Sequence, residues 1–285
     1  MNKTLRVTRL TLREAMRRRL ILAGVVVSLL YVALFALAYN LAQDRGAQLV
    51  TGQRSRVLVG LGMASLTLSG LYIVNLLAGV LALFVSVGAV SSEVESGTLH
   101  ALLARPLRRW QFLLGRWLAY ALIMSVYVAV MAGLVLVVAA VIGDYATPDP
   151  ARAIGLMILA SLFLVTLSLF GSTLLPTSTN GAVVFTLFGL GWLSGVIQVL
   201  GDTLSNEGLL KLGVTVALFI PSDMLWRSAS YYVQPASILA AANAFKGALP
   251  ILANAPPTPG LVMWSLLYPL LLLGSATFVF SRRDL

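Results

Sequence analysis

Residues 91–117 read SSEVESGTLHALLARPLRRWQFLLGRW, and they divide two apolar runs, Met63–Val90 and Leu118–Ile142, that hold no Asp, Glu, Lys or Arg. An uncharged run of about 20 residues or more is long enough to cross the hydrocarbon core of a bilayer as a helix. The segment between these two runs carries two acids, four arginines and the single histidine of the chain. It has the size of a helical hairpin. A connector that only joined two membrane helices could be shorter and simpler, so this one reads as a docking surface for something outside the chain.

The same criterion extends to six spans: Leu20–Leu41, Met63–Val90, Leu118–Ile142, Ala153–Leu175, Gly181–Leu200 and Leu261–Phe280. Composition agrees, with 59% hydrophobic and 11% charged residues against about 25% charged in soluble domains. The expected fold is an all-α polytopic membrane protein, one transmembrane domain over residues 1–285. There is no cysteine, so neither a disulfide framework nor a thiolate metal site is available.

The net charge of +10 does not point to nucleic acid. A duplex-binding surface needs a continuous basic patch, and here the charge is divided among segments that flank the membrane. With six spans the two termini share one side with the 91–117 loop. That side holds thirteen basic residues and four acids, the other seven basic residues and six acids. The positive-inside rule counts Lys and Arg, so the termini and the loop are expected in the cytoplasm, and the chain in a bacterial inner membrane.

Residues 1–19 place Leu5, Leu12 and Met16 on one helical face with arginines over much of the remainder. This pattern suits a helix lying in the membrane interface; a solvated basic tail that only fixes topology is the other reading. Arg17, Arg18, Arg19, Arg116, Arg282 and Arg283 are the expected anchors at the headgroups. Residues 201–260 are expected outside the cytoplasm. Within them Leu209–Ile220 is apolar but short, and Pro221 follows, which reads as a re-entrant or interfacial piece rather than a span. Trp226, Tyr231 and Tyr232 would sit at a headgroup boundary.

Several absences narrow the function. None of the three lysines follows a glycine, so the chain has no G-x-x-x-x-G-K-[ST] loop to cradle nucleotide phosphates. No charged residue or histidine falls inside the six spans, whereas ion-coupled carriers usually hold such groups at mid-membrane. His100 is alone and in a loop, so metal catalysis loses its usual residues and no metal site is expected. Asn75 and Gln198 are the polar span residues proposed as candidates for a path lining. Ser86, Thr166, Ser168, Ser172 and Thr173 read as helix-helix hydrogen bonds.

In the loop, Ser96 or Thr98 can cap a new helix, and Arg105-Pro106 stops it because the residue before proline avoids helical geometry. The result is a short rigid helix with acids at one end and arginines beyond it.

The pattern Glu93-Val-Glu95-Ser-Gly97-Thr98-Leu99-x-x-Leu102-Leu103-x-x-Pro106-x-Arg108, followed by Leu113-x-Gly115-Arg116, resembles the cytoplasmic signature of ABC-2 type ABC transporter permeases. The ending Phe280-Ser-Arg282-Arg283-Asp284-Leu285 is similar to that family's usual C-terminus. A looser similarity runs to the NosY-like permeases that accompany copper-enzyme maturation. The resemblance implies a coupling helix between the second and third spans, with Glu93, Glu95, Gly97, Thr98, Leu102, Leu103, Pro106 and Arg108 contacting a separate ABC ATPase dimer. ATP and Mg would be held by that partner and no cofactor by this chain, which would not be an enzyme by itself. The resemblance further implies a second permease copy or a paralogue, and substrate export. An alternative is mechanotransmission to a periplasmic protein with no substrate crossing. A third reading is an ATP-independent carrier.

Overall fold

A computed structural model describes residues 3–49, 53–95, 108–236, 239–240 and 255–282. Among the described residues every regular element is a helix. In chain order these are α1 (Lys3–Arg17), α2 (Arg19–Leu49), α3 (Gln53–Ser86), α4 (Ser91–Glu95), α5 (Arg109–Gly143), α6 (Pro150–Leu174), α7 (Thr177–Thr203), α8 (Glu207–Phe219), α9 (Ser222–Val233) and α10 (Pro259–Arg282). Six stretches are long and apolar enough to cross a membrane: Arg19–Gly46, Val59–Glu95, Arg109–Gly143, Pro150–Leu174, Thr177–Thr203 and Pro259–Arg282. Each contains or nearly contains one of the six apolar runs.

Local chemistry explains where these helices stop. Asp149 caps α6 by accepting from the Arg152 N–H at 3.1 Å, and Pro150 takes the first helical position, where its missing N–H has no partner to lose. Asp144 ends α5 in a left-handed conformation at φ 49°, one of the few non-glycine types that enter it readily. Asn206 opens α8 by accepting from the N–H groups of Gly208 and Leu209. Pro259 begins α10.

Helix α6 is the centre of the bundle and packs against α3, α5, α7, α9 and α10. The second and fourth spans are mostly buried, while α2, α7 and α10 turn most of their surface outward. On α2 the buried stripe is Ser28, Val32, Phe35 and Tyr39, the spacing of one helical face. Leu30, Leu34, Leu37 and Leu41 on the other faces are exposed, as suits a surface that meets lipid. Inside, Ser28 pairs with Tyr127 at 2.5 Å and Tyr39 with Thr67 at 3.2 Å, while Trp117 donates to Thr166 at 2.8 Å. Ser86, Thr166, Ser172 and Thr173 each donate to a carbonyl of their own helix three or four residues back. Thr166 in addition makes the expected helix-helix bond by accepting from Trp117.

Helices α8 and α9 form a hairpin bent by 97° at Ile220-Pro221. Gly201 lies against Leu210, Gly213 against Gln198 and Gly191 against Ile220. These pairings show α8 running antiparallel to α7 and retracing it to about its middle. The chain then turns, and α9 returns along α6. Its C-terminal carbonyls meet the connection before α6: the Asp149 N–H donates to Tyr232 at 3.1 Å, and the Tyr145 hydroxyl to Val233 at 2.8 Å. Burial pushes the Tyr145 hydroxyl pKa above its ordinary value, so it remains a donor. Because α6 and α7 are joined at their other ends through 175–176, the start of α6 and the end of α7 share one end of the bundle. The hairpin enters and leaves the bundle at that end.

Two consequences correct the sequence reading. Trp226 is not at a headgroup boundary but 1% exposed, its ring 5.4 Å from that of Tyr72. Asp223 and Arg227, counted as charges on the outer side, are inside the bundle with side chains 7% and 14% exposed. The physical reason is the same for all three: α9 lies against α6 and α3, not along the membrane surface.

Candidate functional site

Two regions of the bundle gather polar groups. The first is the base, at the end of α4 and the start of α5. Gly97, Thr98, Leu102, Leu103 and Pro106 lie outside the described residues, as does Arg283. Their neighbours are well placed. At residues 87–90 the α3 helix gives way to turns before α4, which frees carbonyls that a buried backbone must satisfy. Asn180 Nδ2 donates to the Val87 carbonyl at 2.8 Å and to the Ser168 carbonyl at 2.9 Å. Arg116 Nη1 donates to the Ala89 carbonyl, and its Nη2 pairs with Glu93 Oε1. The Arg116 guanidinium also lies over the Phe112 ring at 4.8 Å and 3.9 Å from Glu14 Oε2 on α1.

Glu95, at the end of α4, reaches across to α7. Its carboxylate accepts from the Thr177 N–H at 2.8 Å and from the Thr177 hydroxyl at 3.2 Å. Negative charge is favourable there because the N-terminal N–H groups of a helix are unpaired and its dipole is positive at that end. Ser91 pairs with the same Thr177 hydroxyl at 2.8 Å. Glu93 and Glu95 thus act as struts from α4 to α5 and α7. Arg108, exposed, begins α5, its N–H donating to Gln111 Oε1 at 3.3 Å.

The expected anchors divide. Arg17 and Arg19 are exposed. Arg18 pairs with Glu14 at 2.6 Å; burial alone would lower its pKa, and the Glu14 hydrogen bond with nearby charges outweighs this and leaves it raised. Arg282 is exposed with its guanidinium over Phe278 at 4.2 Å. Arg116 differs: it is 3% exposed, and its charge faces Glu93 instead of headgroups. Arg109 Nη1 donates to the carbonyls of Phe280 and Ser281 at 3.1 and 3.2 Å. That contact brings the end of α10 to the start of α5, so the two described ends of the chain, α1 and α10, share the base.

Helix α1 has three faces. Val7, Thr11 and Ala15 are buried, with Val7 against Gly115 of α5. Leu5 and Met16 are more than half exposed and leave an apolar edge, with Arg6, Arg9 and Arg13 on a further side. The protein-facing stripe was hard to read because Thr11 and Ala15 carry little hydrophobic signal.

The second region is at mid-depth. Asp223 and Arg227, four residues apart on α9, approach to 3.1 Å between Oδ2 and Nε. Arg227 Nη2 donates to Gln198 Oε1 at 2.9 Å, and Gln198 Nε2 donates to the Gly213 carbonyl at 3.1 Å. The chain Asp223–Arg227–Gln198–Gly213 therefore ties both arms of the hairpin to α7. Gly195 leaves room on α7 for the Asp223 carboxylate, which a Cβ there would meet. Beside Asp223 is a cavity of about 210 Å³ between α3 and α7, with Asn75 on its wall. Of the two path candidates, Asn75 lines this cavity and Gln198 belongs to the polar chain next to it. Asp223, Arg227 and Ser222 were missed because charge was read as lying outside the membrane. The available signal was the Asp-x-x-x-Arg spacing directly after a short apolar piece. Among the described residues no cluster of three metal-ligating side chains occurs.

A comparison with protein families matches residues 6–285 to the model described as ABC-2 family transporter protein. A search of curated proteins finds no match.

Proposed function

The chain belongs to the ABC-2 family of transporters, and from that premise we propose that it is the permease subunit through which a separate ABC ATPase drives export. Membership itself makes it a multi-pass membrane permease of an ABC transporter. In the proposed assembly two permease chains carry two ATPase subunits at the base. The base faces the cytoplasm, in keeping with the excess of Lys and Arg on that side.

The observation that carries this reading is the double strut at the base. Glu93 binds α4 to α5 through Arg116, and Glu95 binds it to α7 through Thr177. The segment 96–107 is thus anchored to two different spans immediately before it begins. A push on that segment by a closing ATPase dimer is passed to α5 and α7 as rigid bodies. Gly97, Thr98, Leu102, Leu103, Pro106 and Arg108 remain the proposed contact with the ATPase.

Purification of the tagged full-length chain from its native membrane tests the assignment. Recovery of a P-loop ATPase in about equal amount supports it. Recovery of the chain alone, in a form that transports without ATP, overturns it.

A further inference from the structure

The cavity beside Asp223 has a composition that the permease assignment does not account for. Four aromatic side chains, Tyr72, Phe185, Phe188 and Trp192, line it together with the Asp223 carboxylate and Ser222. Aromatic faces carry negative electrostatic potential and attract cations. No Lys or Arg is among the lining residues, so an anion would find no charged donor. A bare metal ion is poorly served, since one carboxylate cannot replace its hydration shell. We propose that this cavity binds an organic ammonium cation, its alkylated nitrogen held among the rings of Tyr72, Phe185, Phe188 and Trp192 and against Asp223.

The geometry supplies three further supports. First, the cavity flanks the middle of α7, where Phe185, Phe188 and Trp192 lie. Second, the opening is lateral: Phe185 is 60% and Trp192 45% exposed on the bundle surface, so an apolar substituent can extend toward lipid. Third, Asp223 already has a cation that can yield. The Arg227 guanidinium is 3.1 Å from the carboxylate, and it has Gln198 as a second partner. An incoming ammonium takes the place of Arg227 beside the carboxylate while Arg227 keeps Gln198. The Ser222 hydroxyl, buried without a hydrogen-bond partner, is free to accept from or donate to the ligand. Such an exchange gives modest affinity, which a transported ligand needs in order to leave.

The proposal rests on the permease reading only for the statement that the ligand is transported; binding itself needs no ATPase. Radiolabelled choline is the probe, measured on the full chain in phosphatidylglycerol nanodiscs without ATP. Choline binding is expected to be saturable, and the neutral isostere 3,3-dimethylbutan-1-ol to compete at least about tenfold more weakly. Asp223→Asn is expected to weaken choline by about tenfold or more, and Trp192→Leu by roughly threefold to tenfold. Trp192 is surface-exposed and forms no part of the Asp223–Arg227 pair, so its variant keeps the test decisive if Asp223→Asn fails to fold. In phosphatidylcholine nanodiscs, loss of choline binding identifies a lipid headgroup as the occupant. Unchanged binding there identifies a free cation, and both outcomes support the ammonium class. No saturable binding, equal competition by the neutral alcohol, or folded variants that bind as the wild type would overturn the proposal. Such a failure would leave the ATPase assignment standing, and loss of that assignment would leave the binding result intact.

Discussion

The Glu95 carboxylate closes the N-terminus of α7 by accepting from both the N–H and the hydroxyl of Thr177, 82 residues away in sequence. This contact makes the exit of the second span and the entry of the fifth one mechanical unit. An exposed acid at a helix start contributes modestly to stability, and Glu95→Ala is expected to cost about 1 kcal/mol. Thermal unfolding of the purified chain checks this. A large drop in Tm would mean that Glu95 has partners beyond Thr177.

Arg116 is expected to matter more. It is nearly inaccessible and holds Glu93 and the Ala89 carbonyl together. Arg116→Ala leaves a largely buried carboxylate without its cation and is predicted to cost about 3 kcal/mol. The double change Glu93→Leu with Arg116→Met recovers part of that loss, the remainder reflecting the Ala89 carbonyl. An additive double variant in the same unfolding assay would contradict the strut.

Topology can be read directly, because the chain has no cysteine to remove. Single cysteines at Asp202 and Ala236, both exposed, flank the α8–α9 hairpin. A membrane-impermeant thiol reagent is predicted to modify both from one side of sealed vesicles, and a cysteine at Arg17 from the other. Labelling of Asp202→Cys and Ala236→Cys from opposite sides would show that the hairpin crosses.

The six crossing helices were legible because length and apolarity alone decide them. The hairpin was legible only in part: a short run and Pro221 signal a break but not where α9 goes. Its destination depends on Gly191, Gly195 and Gly201, which are scattered along α7 and open it to the hairpin. The same physics hid Asp223 and Arg227. Sequence rules assign charge to water, whereas this pair is sheltered by Gln198, a residue on another helix. At the base, Glu93 and Glu95 were singled out but their partners were not, since Thr177 and Arg116 lie far from them in sequence.

Gly79 of α3 receives the ring of Phe188, the side chain that also lines the ammonium cavity. A Cβ at this position meets the ring, so Gly79→Val is predicted to displace Phe188 and destabilise the bundle by about 1–3 kcal/mol. Gly60 has nothing near its Cβ position, and Gly60→Ala is expected to hold or slightly raise Tm, since alanine suits a helix interior better than glycine. Equal effects at both positions would contradict the packing described.

The most direct test of the central claim measures ATP hydrolysis by the partner ATPase in reconstituted vesicles containing wild-type chain or the variants Glu95→Arg and Gly97→Pro. The account predicts that wild-type chain supports substrate-stimulated hydrolysis and that both variants, still inserted in the membrane, abolish the stimulation. Unchanged stimulation in both variants would contradict coupling through the 96–107 segment.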